Sequence, residues 1–393
     1  MHRNALLFAL TLNLLGAQSI SAVHVSENDV PVETGVEVAS LTDSLEFPWG
    51  FDWLPDGRAV ITEQAGSIRV FDGESVSTRI PFPVEVTSGG AGGITRGQGG
   101  LMDVAAGPDF AQSGWLYFTY SSGDPDANRT VLARSKLKDS ELVDLEILWQ
   151  NPIDKRSGQH FGSRILFLPD GTLLLTVGDG GNPPVSYQGE EIRQQAQNLA
   201  SAFGKVLRLN PDGSIPADNP SFDESSIPGL WSYGHRNIQG IARDSETGEI
   251  WANEHGAFLG DELNRLEGGG NFGWPAATYS VNYRGRTPIS DHRSLPGMID
   301  PVLVWMQSHA PSGLLIYRGE AFSEWNGALL SGGLRSQDLR LIHASGDESQ
   351  IKESRIVIER RVRDVDVGPK GDIFILTDHE DGELLRLSPK IQP

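Results

Sequence analysis

The chain contains no cysteine in 393 residues. That absence excludes disulfide staples, cysteine zinc sites, thiol nucleophiles and cysteine-ligated iron–sulfur clusters together. Positive charge is scarce too: 32 Lys and Arg stand against 52 Asp and Glu, a formal net charge of −20. A phosphate backbone is bound mainly through Lys and Arg that release its counterions, so this balance speaks against nucleic acid as a partner. No run of the roughly 20 apolar residues that a membrane helix needs occurs, and no membrane span is expected. Helix signals are weak throughout, the best being Glu191 to Phe203. What is abundant is turn chemistry, 46 Gly and 23 Pro, in a chain that is 38% hydrophobic with 9 Trp and 15 Phe. Such a composition is globular rather than disordered.

The first residues stand apart. Met1, His2, Arg3 and Asn4 give a short positive start, Ala5 to Ala17 are largely apolar, and small and polar residues follow through Ala22. This is the plan of a secretory signal peptide over 1–22, with cleavage expected after Ser19, Ser21 or Ala22. The mature chain from residue 23 would then work outside the cytoplasm. Freedom from cysteine in an oxidising compartment suits a bacterial periplasm.

Along the mature chain one phrase returns, a tight turn followed by a short β run. It reads Leu54-Pro-Asp-Gly57-Arg-Ala-Val-Ile-Thr62, then Leu168-Pro-Asp-Gly171-Thr-Leu-Leu-Leu-Thr176. Looser copies lie at Pro108-Asp-Phe110, Glu246-Thr-Gly248, Asn326-Gly327 and Lys370-Gly371, each followed by apolar or β-branched residues. Asp-Gly supplies positive φ for a hairpin turn, and the run after it supplies a half-buried strand. Repeated hairpins at irregular spacing are what radial repetition with variable loops produces. The expectation is an all-β fold, one six-bladed β-propeller over 23–393 with four-stranded antiparallel blades. Its chemistry should lie in loops at one mouth of the channel.

Five segments concentrate residues able to do chemistry. Gly97-Gln98-Gly99-Gly100 lets the backbone approach a ligand and offers the Gln98 amide, although a flexible loop would carry the same glycines. His160 precedes the third turn phrase and Asp179 follows it. A hairpin returns both to one edge, and a His beside a carboxylate is the usual general-base arrangement; a lone His is otherwise structural. Tyr233-Gly-His-Arg236-Asn237 sets a planar cation beside an amide, suited to an anionic ligand. Asn253 to Asn264, continuing to Phe272 and Pro275, is rich in the oxygen donors that a hard cation such as Ca²⁺ prefers, or is an Asx-rich surface loop. Finally, Arg360-Arg361-Val362-Arg363 forms a local anion site unless Glu359 or Asp364 neutralises it. With Arg335, four cationic groups (236, 335, 361 and 363) are expected at the mouth. The inference from the residues is a ligand with several carboxylates beside a Ca²⁺.

These segments resemble the soluble PQQ-dependent sugar dehydrogenases, in particular their periplasmic aldose sugar dehydrogenase branch. The likeness runs over the whole mature chain, through Pro48-Trp49-Gly50, Gln98-Gly-Gly-Leu101, His160-Phe-Gly-Ser-Arg164 and Gly204 to Pro216. It continues through Tyr233 to Asn237, Glu254-His-Gly256, Asp261-Glu-Leu-Asn264, Gly273-Trp-Pro275 and Arg363-Asp-Val365. The resemblance implies a six-bladed propeller that oxidises an aldose at its anomeric carbon to the lactone. Its cofactor would be pyrroloquinoline quinone (PQQ), held by Gln98, Arg236, Asn237, Arg335, Arg361 and Arg363. It implies His160 as the catalytic base and Asp179 as its orienting carboxylate. It implies Ca²⁺ on the carbonyls of Gly256 and Ala257, and a second, structural Ca²⁺ at Glu262 with the Phe272 carbonyl. Partners would be a small aldose and an external electron acceptor, with the protein a monomer or homodimer. Departures from the family pattern are Ala257-Phe258-Leu259, Arg335 in place of a Lys, and Gln159 in place of an acid. Two rival readings share the composition: a Ca²⁺-dependent propeller lactonase, which has no need of an arginine cluster, and a propeller binding module that has lost its cofactor.

Overall fold

All six turn phrases join the two innermost strands of a sheet. Gly57, Gly171, Gly248, Gly327 and Gly371 sit in these turns at φ of 87°, 85°, 80°, 85° and 85°, a region closed to most side chains. At the remaining position the chain makes one helical turn, Phe110–Ser113, which ends on Gly114 at φ 71°. A computed structural model describes residues 23–27, 29–88, 97–181, 185–344 and 351–390. The expected signal peptide over 1–22 and the glycine-rich run 89–96 lie outside them.

Six sheets of four strands follow one another along the chain, one of them extended by a short fifth strand. The innermost strands of blades 1 to 6 are Pro48–Trp53, Leu101–Ala106, Gly162–Phe167, Ile238–Arg243, Pro311–Ile316 and Val362–Val367. Each packs against the next, and the sixth packs against the first, so the ring is closed. Closure is by strand pairing: Val36–Leu45, from the start of the chain, pairs antiparallel with Gly382–Pro389 as the outer strand of blade 6. His24–Val25 adds a parallel fifth strand to the edge of blade 4 beside Leu303–Trp305. Between blades the faces meet in apolar clusters, for example Val60, Ile68, Leu101, Leu116 and Phe118 between blades 1 and 2. The segment with the strongest helix signal forms only a 3-10 helix, Ile192–Gln197.

Near its start, every innermost strand slips register against its neighbour, as between Pro48 and Phe51 in blade 1 and between Gly162 and Ile165 in blade 3. A bulge removes ladder bonds, and the threonine ending the turn phrase replaces them. Gly50 N–H donates to Thr62 Oγ1 (3.0 Å), Asp103 N–H to Thr119 Oγ1 (2.9 Å) and Arg164 N–H to Thr176 Oγ1 (2.9 Å). The Thr119 hydroxyl in turn donates to the Ser163 carbonyl of the next blade at 2.8 Å. One hydroxyl thus satisfies the bulge and stitches two blades together.

The third residues of the inner strands are Gly50, Asp103, Arg164, Gly240, Gly313 and Asp364, and they fill the channel. Arg164 holds Asp103 at 3.0 Å and Asp364 at 2.9 Å, and its Nε donates to the Gln239 carbonyl at 2.6 Å. Starting in blade 3, it therefore reaches blades 2, 4 and 6 across the axis. Glycine opposite these ions is a matter of room: a Cβ on Gly313 would lie 2.3 Å from Asp364 Oδ1. A buried ion triad contributes little net stability but strongly penalises any misplacement of its members. It forms the floor on which the mouth is built.

Candidate functional site

His160 ends the connection from blade 2 and enters the inner strand of blade 3 in a left-handed conformation, φ 52°. Its N–H donates to Gln98 Oε1 at 2.9 Å. Its carbonyl lies so close to the returning strand that a Cβ on Gly178 would come within 2.3 Å of it, so only glycine fits there. These constraints bring Nδ1 to 2.6 Å from Asp179 Oδ1, with His160 and Asp179 only 2% and 1% exposed. Asp179 Oδ2 accepts from Trp274 Nε1 at 2.9 Å. With Nδ1–H committed to Asp179, Nε2 is the ring's free acceptor, and no described residue bonds to it. Burial and the nearby Arg236 outweigh Asp179 and hold the imidazole below its ordinary pKa of 6.5. Burial alone would raise Asp179, yet His160 and Arg236 bring it below its ordinary 3.8. The pair is a neutral imidazole on an ionised carboxylate, ready to take a proton at Nε2.

Arg236 and Asn237 open blade 4. The Arg236 N–H donates to Glu254 Oε2 at 2.5 Å, and Glu254 Oε1 lies 3.2 Å from His235 Nδ1. His235 is itself stacked on Phe272. The Arg236 guanidinium bonds the His255 carbonyl at 3.0 Å and lies 5.2 Å from the Trp274 ring centre. Asn237 Oδ1 accepts from the Gly162 N–H at 3.1 Å, linking blades 3 and 4. Arg236 Nε and Asn237 Nδ2 are buried with no hydrogen-bond partner in the protein. Buried donors are rarely left unpaired, so two on adjacent residues mark a place for a ligand.

Arg361 and Arg363 both reach Asp378 Oδ2, at 2.7 and 3.0 Å. Of the neutralising neighbours considered from sequence, Glu359 and Asp364, the latter is paired with Arg164 at 2.9 Å. Arg335 is exposed, and its side chain has no ion pair with any described residue. A cavity of about 470 Å³ is lined by Gln98, Gln239, His255, Arg335, Arg361 and Arg363, among others. Trp49, whose ring centre lies 5.6 Å from the Arg363 guanidinium carbon, forms a buried apolar patch with Met102 and Phe161. A second cavity, about 310 Å³, is bounded by Asp179, Arg236, Ala257, Trp274 and Arg193. His160 is bonded to Gln98 of the first cavity and Asp179 of the second. One mouth therefore gathers Gln98, His160, Asp179, Arg236, Asn237, Arg335, Arg361 and Arg363.

The glucose/sorbosone dehydrogenase family profile matches residues 45–386. The chain belongs to this family. It is 43% identical to an uncharacterized protein of Synechocystis, over 95% of this chain and 91% of that one. Its fold superposes on the soluble aldose sugar dehydrogenase of Escherichia coli in the apo-form with a TM-score of 0.81, at 35% identity over 90% of this chain and 100% of that one. The PQQ-bound aldose sugar dehydrogenase of Streptomyces coelicolor gives a TM-score of 0.70, at 26% identity over 92% of this chain and 100% of that one. The six-bladed propeller of four-stranded blades is thus the fold of this family. No helix among the described residues is long and apolar enough to cross a membrane.

In this family member the residues expected to hold calcium divide into two places. Gly256 N–H donates to Asp261 Oδ1 (2.8 Å) and Ala257 N–H to Ser280 Oγ (3.1 Å), fixing the loop, while neither carbonyl accepts a hydrogen bond from a described residue. Glu262 faces Glu254 across the ladder, one strand further from the axis. Burial, with Glu254 beside it, pushes its carboxyl well above the usual range. Among the described residues no three His, Asp or Glu side chains converge as metal ligands. A cation at Gly256 and Ala257 would rest on main-chain carbonyls, whereas one at Glu262 would meet a carboxyl group.

Several residues of the mouth were given no role of their own from sequence. His255 Nε2 donates to the Pro311 carbonyl at 2.7 Å, and burial keeps the ring neutral with its pKa well below 6.5. Trp274 meets Asp179 from 95 positions away, which no local pattern reveals. Asp378 did leave a signal. Glu63, Glu254 and Asp378 each follow the last Thr or Asn of a second strand, and all three are buried.

Proposed function

We propose that the protein is a PQQ-dependent aldose dehydrogenase that oxidises the anomeric carbon of a sugar to the lactone, with His160 as base. The observation that carries this reading is the His160–Asp179 pair set between two cavities whose walls hold Arg236, Arg335, Arg361 and Arg363. A tricarboxylate quinone fits these residues. Arginines match carboxylates in charge and shape, and the orphaned Arg236 Nε and Asn237 Nδ2 gain an acceptor. Gln98, Arg236, Asn237, Arg335, Arg361 and Arg363 would hold it, with Ca²⁺ on the free carbonyls of Gly256 and Ala257 and a second ion at Glu262 and the Phe272 carbonyl. Bound there, the quinone would supply the hydride acceptor that no side chain provides, and an external acceptor would then collect the electrons.

The chain's own share is proton chemistry and positioning. His160 Nε2 takes the proton of the anomeric hydroxyl as that carbon becomes the lactone carbonyl carbon. Asp179 stabilises the imidazolium that forms, and Trp274 holds Asp179 in place. Gln98, bonded to the His160 N–H, fixes the ring's approach. A lactonase would have no use for the arginine wall. The working place of the chain would be the periplasm, after loss of 1–22.

The test is reconstitution. Protein mixed with PQQ and Ca²⁺ should bind the quinone and reduce a dye when an aldose is added; failure of both would overturn the reading. His160→Ala should lower kcat by about 10²–10⁴ while leaving quinone affinity in place.

A further inference from the structure

We propose that the preferred substrate is an aldose bearing an anionic group, a carboxylate or a phosphate, away from its anomeric carbon, and that Arg193 and Arg284, with Arg286 beside them, receive that group. This rests on the dehydrogenase reading and names its substrate class. The supporting residues come from two long connections that rise beside the mouth. One, between Val177 and Lys205 of blade 3, carries Arg193; the other, between Leu266 and Leu303 of blade 4, carries Trp274, Tyr283, Arg284 and Arg286. They meet where Arg193 donates to Asn282 Oδ1 at 3.2 Å.

Arg193, Arg284 and Tyr283 line the same cavity as Asp179, Arg236 and Trp274, so whatever fills it lies against the carboxylate that orients His160. Arg193 is recessed, its side chain 11% exposed, and its Nε is buried without a hydrogen-bond partner. Arg284 has no ion pair with a described residue. Arg286 rests on the Phe258 ring, in the Ala257-Phe258-Leu259 loop, and lines the neighbouring cavity.

The charge balance decides what these arginines are for. Four others already face the proposed cofactor's three carboxylates. The rim adds three more; among the described residues, the ion pair found there is Glu191 with Arg193, and the Asp179 carboxylate beside it is bonded to His160 and Trp274. In a chain of net charge −20 such a surplus is local and concentrated. A neutral sugar needs no cation, whereas a carboxylate or phosphate oxygen suits the planar fork of arginine. The recess of Arg193 favours a small molecule over the flat surface of an acidic protein.

The experiment uses the full mature chain in two arms. With PQQ and Ca²⁺ loaded, kcat/KM is compared for glucose, glucuronate and glucose 6-phosphate. At least one anionic sugar should lead glucose tenfold or more, and the R193Q/R284Q double variant should cut that ratio at least fivefold. The two anions separate carboxylate from phosphate recognition. In the second arm, without PQQ, the favoured anionic sugar should raise the melting temperature of the native chain and not that of the double variant. Equal or better use of glucose, with no anion-dependent stabilisation, overturns the proposal. So does a variant that slows only reduction of a protein acceptor at an unchanged substrate ratio, which would mark the rim as a docking surface. If no aldose is oxidised, the dehydrogenase reading fails in the first arm, and absence of stabilisation in the second separately overturns anion recognition.

Discussion

His160 is held neutral by its surroundings, and this sets the pH behaviour of the proposed reaction. Its pKa in the fold lies below 6.5, through burial first and Arg236 second. A base that must be unprotonated keeps working as pH falls through 6.5 and stops only below its depressed value. The acid limb of kcat/KM is therefore expected below 6.5. Arg236→Gln should move it upward, and an NMR titration of His160 in cofactor-free protein should show the same displacement. Asp179→Asn leaves the shape of the contact and removes the charge that fixes the tautomer. A fall in kcat of about 10²–10⁴ with quinone binding retained is expected in single-turnover and equilibrium measurements. At this scale legibility followed sequence distance. His160 and Asp179 were readable as neighbours because one hairpin joins them. Trp274 was not, because only the folded ring brings it to Asp179. The neutralisation of Arg361 and Arg363 was sought next to them, but an acid that pairs with both stands just past the end of the following strand, at Asp378.

Each blade is built from a turn closed by a positive-φ glycine and an inner strand with a bulge, and in blades 1 to 3 a threonine of the second strand bonds to that bulge. The turns were plain in the sequence because Asp-Gly has a local cause. The bulges were not, since a register slip is a property of two paired strands, and the threonine that repairs it looks like any β-former. Its role can be tested where the bonds are clearest. Thr119 Oγ1 accepts from the Asp103 N–H at 2.9 Å and donates to the Ser163 carbonyl at 2.8 Å, with no exposure. Thr119→Val keeps volume and leaves both backbone groups buried and unpaired. Loss of about 1–3 kcal/mol in denaturant unfolding is expected. Equal stability would mean that the bulge is held by packing alone. The segment Glu191 to Phe203 taught the converse lesson: it yields only one short 3-10 stretch, Ile192–Gln197, whose Gln195 and Ala196 carbonyls accept from Lys205 Nζ at 2.9 Å each, a partner outside the segment.

For the molecule as a whole, two features of composition find their place. The excess acid is distributed widely, while Arg236, Arg335, Arg361 and Arg363 gather at one end of the channel, where Arg164 also bridges Asp103 and Asp364. Without a disulfide, the ring of blades is held shut by strand pairing. Val36–Leu45 closes blade 6 against Gly382–Pro389, a strand whose Leu384, Leu385 and Leu387 are buried. His24–Val25, by contrast, only extends a sheet that is already complete. Removal of residues 23–27 should therefore lower the melting temperature modestly. Removal of residues 23–45 bares the backbone edge of 382–389 together with its leucines and releases the first blade from the last. An unpaired apolar edge seeks another strand, so this variant should self-associate in size-exclusion chromatography and lose its cooperative thermal transition. A monomer that melts cooperatively at the temperature of the intact chain would show that packing of the inner strands closes the ring without the outer one.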